Sequence, residues 1–372
     1  MKPTPSFPIA EAKAPEALAP GSTIGIIGGG QLGRMTALAA AELGYDCHIF
    51  TPESDSPAAR VAKTDTVAAY DDRSALEAFA REVDVVTFEF ENIPFESVQL
   101  LEDLVPVRPG WDALRVSQDR LVEKEFLNSL GIETAEFRAV GSLEDLARAT
   151  IEVGRPSILK TRRMGYDGKG QVRIDPDTDL AEAIEVLGGT PGILEGFVPF
   201  ACEVSVVVAR SIAGEVRVFA CSENDHRHHI LHTSTVPAGI APELAARAEE
   251  FGLRVARGLS LVGLVALELF VTQDGRLIAN EIAPRPHNSG HWTMDACAQG
   301  QFHQFVRAVA GLPLASPERH SDVVMTNLIG DDMESWPALL AETGAIPHFY
   351  GKREARKGRK MGHVNRLMPK KG

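Results

Sequence analysis

The chain is poor in cysteine and has no excess of basic charge. Its four cysteines are widely separated and form neither a CxxC pair nor a dense disulfide framework, a usage typical of a reducing cytoplasm. No apolar run approaches the roughly 18 residues that cross a bilayer, and no charged-then-apolar segment opens the sequence, so neither membrane insertion nor secretion is predicted. The formal net charge of -13 argues against sequence-independent nucleic-acid binding, which needs clustered Lys and Arg.

What the chain does have is enough apolar sequence for several domains. With 372 residues and 44% hydrophobic composition, two or three domains are expected. Residues 1–20 are rich in Pro and Ala without an apolar period, which predicts a disordered extension. Strand-helix alternation then predicts a doubly wound α/β domain, and later patterns predict α+β units. The predicted boundaries are 21–115 for the first domain, 116–200 for a small α+β unit, 201–315 for a larger sheet of antiparallel strands, and 316–372 for a small cap domain.

The segment GGGQLGRM places Gly28, Gly30 and Gly33 in a GxGxxG spacing between a strand and a helix. Backbone amides at a helix start favour an anion. A dinucleotide site also needs an acidic residue at the end of the second strand, but that strand ends at Phe50 and Thr51. Three interpretations therefore remain: NAD binding, glycines that only allow close packing, and a substrate phosphate or ribose, which we favour.

A second glycine-rich segment, ILKTRRMGYDGKGQ, follows a predicted strand that ends near Lys160. Its glycines at 165, 168 and 170 predict a flexible loop that can close over phosphates. It is not a Walker A loop, because no GxxxxGK[ST] is present and the lysine precedes the glycines. The alternative is a surface hairpin with an incidental lysine.

The segment VALELFVTQDGRLIANEIAP contains a hairpin signal at Asp274-Gly275. With a two-residue loop, counting outward places Glu268 opposite Glu281. Facing carboxylates repel each other without a cation, and Mg²⁺ takes a few carboxylates together with phosphate oxygens, so we predict a magnesium site with Asn280 nearby. A solvated carboxylate pair is the alternative, although its flanks are apolar.

Two further polar segments are candidates for phosphate or oxyanion contacts. The loop RPHNSGHW contains Arg285, His287, Asn288, Ser289 and His291, and zinc is disfavoured there because no cysteine joins the histidines. Zinc is likewise disfavoured in the histidine-rich run 226–232. The C-terminal basic run is either a solvated surface or a phosphate clamp; it comprises Lys352, Arg353, Arg356, Lys357, Arg359 and Lys360.

Together these segments resemble the 5-(carboxyamino)imidazole ribonucleotide synthase family of the ATP-grasp superfamily, from about residue 25 to 364. The motifs that carry the resemblance occur in the family's order: GGGQLGRM, FEFENIP, SQDRLVEKEF, KTRRMGYDGKGQ, EGFVPFACEVSV, ANEIAPRPHNSGHWT and YGKREARKGRKMGH. The resemblance implies a preATP-grasp domain, an ATP-grasp domain of two α+β lobes and a small C-terminal domain. One departure is His228-His229, where members often have Asp-Gly or a similar pair.

The resemblance also implies residue roles. Phosphate contacts fall to Arg120, Lys160 and the loop Gly165, Tyr166, Asp167, Gly168, Lys169, Gly170 and Gln171, with Lys160 catalytic and the loop closing as a lid. Adenine and ribose contacts fall to Glu195, Gly196, Phe197, Val198 and Glu203, with His226 and Asn280 nearby, and magnesium to Glu268 and Glu281. Nucleotide-substrate contacts fall to Gln31, Leu32, Glu89, Asn288, Lys352, Arg359 and Lys360, while Arg285, His287 and Lys352 are the candidates for bicarbonate.

The implied activity is the carboxylation of the exocyclic amine of 5-aminoimidazole ribonucleotide, driven by ATP and bicarbonate through carboxyphosphate. The products include ADP and phosphate. The implied setting is a cytoplasmic homodimer in purine biosynthesis that binds neither nucleic acid nor membrane. Alternatives are another ATP-grasp ligase, such as a formate-dependent glycinamide ribonucleotide transformylase or a biotin carboxylase, a non-catalytic nucleotide sensor, and an NAD-dependent dehydrogenase.

Overall fold

The structure, a computed structural model, describes residues 17–165 and 170–371. The first unit is a four-stranded parallel sheet in the order β3-β2-β1-β4, which confirms the predicted doubly wound domain. In helix α2 the Asp72 side chain caps the N-terminus by accepting from the Ala75 amide. The elements are β1 (Thr23–Ile27), α1 (Gln31–Glu42), β2 (Asp46–Thr51), β3 (Thr64–Val67), α2 (Arg73–Ala80), β4 (Val85–Phe88), α3 (Phe95–Glu102) and α4 (Trp111–Ser117), with a 3-10 turn at Ala59–Val61.

The first sixteen residues lie outside the described part of the chain, so the prediction of a disordered extension concerns mainly residues without a description. Residues 17–20 are described. The Leu18 amide donates to the Ala310 carbonyl at 2.9 Å, and the Tyr45 hydroxyl donates to the Leu18 carbonyl at 2.8 Å. The folded chain therefore begins before residue 20.

The second unit, which we call the small lobe, is a four-stranded antiparallel sheet in the order β5-β8-β6-β7. Its apolar interior lies between this sheet and helix α6, which begins at a Ser142 cap. The elements are α5 (Arg120–Ser129), β5 (Phe137–Val140), α6 (Leu143–Val153), β6 (Ser157–Thr161), β7 (Gln171–Ile174), α7 (Leu180–Ala183) and β8 (Gly192–Gly196), with a 3-10 turn at Ile184–Leu187.

The third unit is a nine-stranded sheet, which we call the large sheet, in the order β14-β13-β9-β11-β12-β15-β17-β16 with β10 beside β9. Its elements are β9 (Phe200–Arg210), β10 (Val216–Val218), β11 (Ser222–Arg227), β12 (Ile230–Val236), α8 (Pro242–Gly258), β13 (Gly263–Thr272), β14 (Leu277–Ala283), α9 (Thr293–Ala296), α10 (Gln301–Val309), β15 (Ser321–Ile329), α11 (Trp336–Ala341), β16 (Ala345–Phe349) and β17 (Lys360–Pro369). Two 3-10 turns, Asn288–Gly290 and Gly330–Ser335, complete it.

The C-terminal strands belong to this large sheet. Strand β15 pairs with β12 on one side, with Thr233 opposite Thr326, and with β17 on the other. The segment that we expected to form a cap, 316–372, therefore shares a continuous set of backbone hydrogen bonds with the preceding lobe.

Helix α8 is a feature that the strand pattern over 201–310 did not predict. It has proline at its first turn and Arg257 in its last, both ordinary helix-end signals. Its buried face, which includes Phe251 and Val255, packs on β9 and β13. Gly252 allows this approach, because a Cβ there would lie 2.8 Å from the side chains of Val206 and Val208.

The hairpin β13-β14 differs from the predicted two-residue loop, yet the predicted carboxylate pair is present. The Thr272 amide donates to the Arg276 carbonyl at 2.9 Å and closes the hairpin, so three residues form the loop. A bulge between Glu268 and Leu269 then shifts the register by one residue, which restores Glu268 opposite Glu281. The loop prediction was wrong by one residue and the bulge compensates for it. Among the described helices none is long and apolar enough to span a membrane.

Candidate active site

Three basic side chains converge on Glu195 at the end of β8. Lys160 Nζ donates to Glu195 Oε2 at 2.9 Å, and Lys124 Nζ lies 3.2 Å from the same oxygen. Burial would raise the pKa of Glu195, but Lys124, Lys160 and Arg120 outweigh it and lower the pKa to about 2. Three cations around one carboxylate leave an excess of positive charge that suits a polyphosphate. Lys124, only 1% exposed, was not identified from the sequence.

The predicted acidic pair lies on the adjacent large sheet. Glu268 and Glu281 are directly opposite each other on β13 and β14. Burial and then the neighbouring Glu281 raise the pKa of Glu268 to about 7. Asn280 occupies the bulge, where two consecutive residues of β14, Asn280 and Glu281, lie opposite Glu268 of β13. Both residues are half-buried, whereas their neighbours along the strand are buried.

Helix α5 brings charged groups to this pair. Arg120 Nη1 lies 3.3 Å from Glu281 Oε2, which places a predicted phosphate-binding residue beside a predicted metal ligand. The Ile282 amide donates to Glu123 Oε1 at 2.7 Å. Burial, and then Glu281, raise the pKa of Glu123 to about 8. Sequence patterns gave no indication of Glu123, because its burial depends on the docking of α5 against β14.

The residues predicted to contact adenosine are divided between two surfaces. The side chain of Glu203 on β9 lies 3.2 Å from His226 Nδ1, and His226 interacts electrostatically with Glu268. A cavity of about 740 Å³ is lined instead by Gly196, Phe197 and Val198, together with residues 133–138 and the β13-β14 loop. None of the Glu195, Lys160 or Glu268 side chains lines that cavity. We assign the chemistry to the charged surface, because charge complementarity rather than cavity size distinguishes a phosphate site.

Of the predicted phosphate loop, residues 166–169 lie outside the described part of the chain. The described residues flank β6: Gln171 is opposite Lys160, and the Gly170 carbonyl accepts from the Thr161 amide at 2.8 Å. Gly170 has φ +69, a conformation that favours glycine. The Gln171 end of the loop thus starts beside Lys160 of the basic cluster.

The first glycine cluster binds an anion, but the anion is a side chain of the protein. The Gly33 amide donates to Glu89 Oε2 at 2.6 Å, and the Gly30 amide donates to Glu89 Oε1. A Cβ on Gly28 or Gly30 would lie 2.3 Å or 2.6 Å from the Glu89 side chain. In this structure the two amides position Glu89 at the start of α1, and a substrate phosphate or ribose at this cluster stays a prediction. Gln31 is half-buried at this start and Leu32 is buried.

Glu89 lies in a fully buried environment beside the other predicted substrate residues. Burial raises its pKa, against the opposing effect of the Gly33 and Gly30 amides, Arg285 and Lys352. Arg285 itself forms a bidentate pair with Glu91, with nitrogen–oxygen distances of 2.5 and 3.0 Å. Glu91, in the FEFENIP segment, is a further residue whose role the sequence did not indicate.

The C-terminal basic run contributes Lys352 to the same place. Its Nζ donates to the Lys360 carbonyl at 2.7 Å and lies 5.7 Å from the centre of the Tyr350 ring. Burial, and then Arg359, lower the pKa of Lys352 to about 8. Lys360 interacts electrostatically with the Glu268 region, whereas Arg359 donates to the Glu354 carbonyl at 3.0 Å.

The loop after β14 completes the site. His287 Nε2 lies 3.4 Å from Glu268 Oε1, and both side chains are about 15% exposed. Asn288 is buried, and neither its Oδ1 nor its Nδ2 has a hydrogen-bond partner among the described residues. A buried amide without partners is costly, which makes Asn288 a strong candidate for a ligand contact.

Comparison with known proteins finds related sequences along nearly the whole chain. Family models match residues 22–118 (ribonucleotide synthetase preATP-grasp domain), 125–302 (ATP-grasp domain) and 323–371 (phosphoribosylaminoimidazole carboxylase C-terminal domain). N5-carboxyaminoimidazole ribonucleotide synthase of Brucella melitensis is 53% identical over 355 residues, covering 95% of this chain and 98% of that protein. The chain belongs to the N5-carboxyaminoimidazole ribonucleotide synthase family.

Solved structures of N5-carboxyaminoimidazole ribonucleotide synthases have the same fold. An ADP complex of one such enzyme has a TM-score of 0.92 at 46% identity, covering 95% of this chain and 94% of that one. The Aspergillus clavatus enzyme in complex with ADP and 5-aminoimidazole ribonucleotide has a TM-score of 0.88 at 29% identity, each chain being covered to 94%. The chain is thus an ATP-grasp ligase of purine biosynthesis. The expectation is confirmed over the rival ligases, the nucleotide sensor and the dehydrogenase.

Proposed function

We propose that this ligase activates bicarbonate with ATP and transfers the carboxyl group to the exocyclic amine of 5-aminoimidazole ribonucleotide. The observation that carries the proposal is the position of a basic cluster, Arg120, Lys124 and Lys160, next to the facing carboxylates Glu268 and Glu281. A nucleotide triphosphate with a divalent cation complements both charge sets at once. The adenosine end then lies toward Glu195–Val198, Glu203 and His226.

The donor set fits magnesium. Glu268 and Glu281 offer hard carboxylate oxygens. Burial and then the facing Glu281 raise the pKa of Glu268, and a bound cation would offset both effects. Among the described residues no cluster of three or more His, Cys, Asp or Glu side chains suits a metal ion, which agrees with a cation held partly by phosphate oxygens. When bound, Mg²⁺ supplies charge neutralisation for the transferring phosphoryl group.

Bicarbonate must become a better electrophile before an amine can attack it. One of its oxygens attacks the γ-phosphorus of ATP, the bond to the β-phosphate oxygen breaks, and ADP leaves, giving carboxyphosphate. Lys160 is placed to stabilise the developing negative charge. Arg285, His287 and Lys352 hold the bicarbonate, and the loop 165–171 closes to exclude water, since carboxyphosphate hydrolyses.

The amine of 5-aminoimidazole ribonucleotide then attacks the carboxyl carbon, or CO₂ released from carboxyphosphate in the closed site. Phosphate leaves with the former bicarbonate oxygen, and the amine loses a proton. The ribonucleotide lies among Gln31, Leu32, Glu89, Asn288, Lys352, Arg359 and Lys360. The unsatisfied amide of Asn288 and the anchored carboxylate of Glu89 support this placement, the second as an acceptor for ribose hydroxyls.

We also propose a cytoplasmic homodimer. All four cysteines are free, in keeping with a reducing compartment. The homodimer follows from the family resemblance, and sedimentation equilibrium would test it.

The activity is tested by measuring ADP release by purified protein with MgATP and bicarbonate. 5-Aminoimidazole ribonucleotide should stimulate bicarbonate-dependent ADP release, whereas glycinamide ribonucleotide with formate should not. If neither nucleotide stimulates release, the proposal fails and only an ATP-binding fold is left.

A further inference from the structure

A chain of buried polar side chains runs through the large sheet and ends at His287. The Ser234 hydroxyl donates to Asn224 Oδ1 at 2.7 Å, and Asn224 Nδ2 donates to Ser205 Oγ at 2.9 Å. The Ser205 hydroxyl donates to Ser289 Oγ at 2.7 Å, and Ser289 Oγ lies 2.8 Å from His287 Nδ1. All four of the relaying side chains are at most 6% exposed. Burying four polar groups is unfavourable unless each is satisfied, as they are here.

The hydrogen bonds between these buried side chains run in one direction, because Asn224 Nδ2 can only donate. Asn224 Nδ2 cannot accept, so Ser205 receives its hydrogen and passes its own to Ser289. The Ser289 backbone amide also points at His287 Nδ1, at 3.4 Å, which favours a lone pair on this nitrogen. The hydrogen of the neutral ring then lies on Nε2, which faces Glu268 Oε1.

Gln301 fixes the backbone on which this ring is mounted. Its Oε1 accepts from the His287 amide at 2.9 Å, and its Nε2 donates to the His287 carbonyl at 2.8 Å. The same Nε2 lies 2.8 Å from His291 Nδ1, and the Gln301 side chain is fully buried. Because donor and acceptor are both matched, the amide has one orientation only.

We propose that Ser289, supported by Ser205 and Asn224, is a positioning residue that holds His287 in the Nε2–H tautomer. In this tautomer the ring presents a hydrogen-bond donor to an oxyanion in the site. The opposite tautomer would present a lone pair, which repels an anion. The assignment of that oxyanion as bicarbonate or carboxyphosphate rests on the proposed function; the tautomer itself does not.

The tautomer can be measured without substrate. Protein labelled with ¹⁵N at histidine is studied by long-range ¹H–¹⁵N correlation, and the His287 resonances are assigned by their loss in His287→Gln. We expect Nδ1 to be unprotonated and Nε2 protonated in the wild type. A protonated Nδ1 as the main form would overturn the proposal.

Steady-state kinetics test whether Ser289, by holding the His287 tautomer, contributes to bicarbonate binding. Ser289→Ala removes the donor to Nδ1, and we expect the KM for bicarbonate to rise about tenfold, short of the roughly hundredfold loss typical of deleting a whole oxyanion donor. The KM for ATP should stay within about twofold. The matched control is Ser222→Ala, which removes an equally buried hydroxyl that bonds Ser205 from the side at 3.0 Å and should leave both constants near wild type.

Equal effects of Ser289→Ala and Ser222→Ala would contradict the positioning role. Should Ser289→Ala not fold, Ser205→Ala removes the donor one step earlier and is expected to raise the same KM by a smaller factor, while no rise would count against the proposal. Failure of the proposed function is distinguishable: the wild type would then lack bicarbonate-dependent turnover although the resonances still report the Nε2–H tautomer.

Discussion

At the scale of single residues, the site contains partly buried charges that compensate one another. Glu268 and Glu281 are opposite each other, Arg120 touches Glu281, and Lys124 and Lys160 share one oxygen of Glu195. Removing one member of such a set leaves its partner buried without compensation. Substitutions here should therefore be isosteric, so that lost function is not confused with lost folding.

Glu281→Gln should lower ATP turnover by about a hundredfold, because it removes a magnesium carboxylate without a change in volume. The melting temperature should remain close to that of the wild type. The matched control is Glu250→Gln, which breaks an exposed helix pair with Arg254 and should leave turnover unchanged. Turnover equal to that of the wild type at saturating magnesium would refute the metal assignment.

Lys352 gives the site a pH dependence. Burial and then Arg359 lower its pKa to about 8, so the side chain is charged below that pH and neutral above it. We expect kcat/KM for bicarbonate to fall above pH 8, by about tenfold per unit, as the cation that holds the anion is lost. Because burial penalises the charged form, Lys352 lowers the stability of the fold below pH 8, and this penalty disappears as the pH rises from about 8 toward 10.5.

The comparison variant is Lys352→Arg, whose guanidinium stays charged. It should retain part of the activity and move the alkaline decline upward. A pH profile identical to that of the wild type would show that another group titrates.

At the scale of elements, the β11-β12 hairpin turns through two non-glycine residues with left-handed backbone. His228 and His229 have φ of 51 and 63, the values of a two-residue turn with both residues in the left-handed region. Such turns favour Asn-Gly or Asp-Gly, and the histidine pair departs from the Asp-Gly or similar pair that the family resemblance implies.

The double substitution His228→Asn, His229→Gly should stabilise the protein by about 1 kcal/mol, because it relieves that strain. Thermal unfolding should shift upward by about 1 °C for a chain of this size, because the entropy of unfolding grows with chain length. Exposed His320→Asn, outside the turn, is the control. A decrease in melting temperature would show that the imidazoles themselves contribute to the fold.

The sequence predicted elements and their chemistry better than it predicted their exact pairing. The carboxylate pair was found by counting from the Asp274-Gly275 turn, although the loop is one residue longer and the bulge at Asn280 cancels the error. Bulges arise from local sheet twist and leave no sequence signal. Helix α8 was not predicted, although Pro242 marks its start, because strand-like patterns dominate this region of the sequence.

Buried charges were the least predictable part of the site. Glu123 and Lys124 look like ordinary surface residues in the sequence, and their burial follows from how α5 docks against β14. Half-buried Glu91 pairs with Arg285 from the loop after β14, a contact that the sequence does not indicate. The glycine cluster was read as a substrate site, since its spacing shows only that an anion is favoured. Which anion the cluster binds depends on the tertiary structure, and here the anion is the Glu89 carboxylate.

At the scale of the whole molecule, the C-terminal segment completes a sheet. Strands β15 and β17 supply Val323, Met325 and Val364 to the interior, each at 0% exposure, and β15 covers the edge of β12. Truncation after residue 320 would expose that edge and its apolar neighbours. The segment also delivers Lys352 to the site, so folding and activity depend on it together.

A chain ending at residue 320 should therefore fail to give soluble protein that unfolds cooperatively, because the usual total stability of about 5–15 kcal/mol leaves little margin for losing a buried part of the sheet. Solubility and circular dichroism on heating, with the full chain in parallel, measure this. A soluble fragment with a melting temperature near that of the full chain would mean that the C-terminal segment is an independent domain.

The proposed mechanism depends on bicarbonate being phosphorylated by ATP in this site. The most direct test supplies ¹⁸O-labelled bicarbonate with MgATP and 5-aminoimidazole ribonucleotide, and measures the isotope in the released phosphate by mass spectrometry. Carboxyphosphate predicts one ¹⁸O per phosphate, because the oxygen that attacks phosphorus leaves with it when the carbon–oxygen bond breaks. Phosphate that contains no label, with product formed at the same rate, would contradict the mechanism.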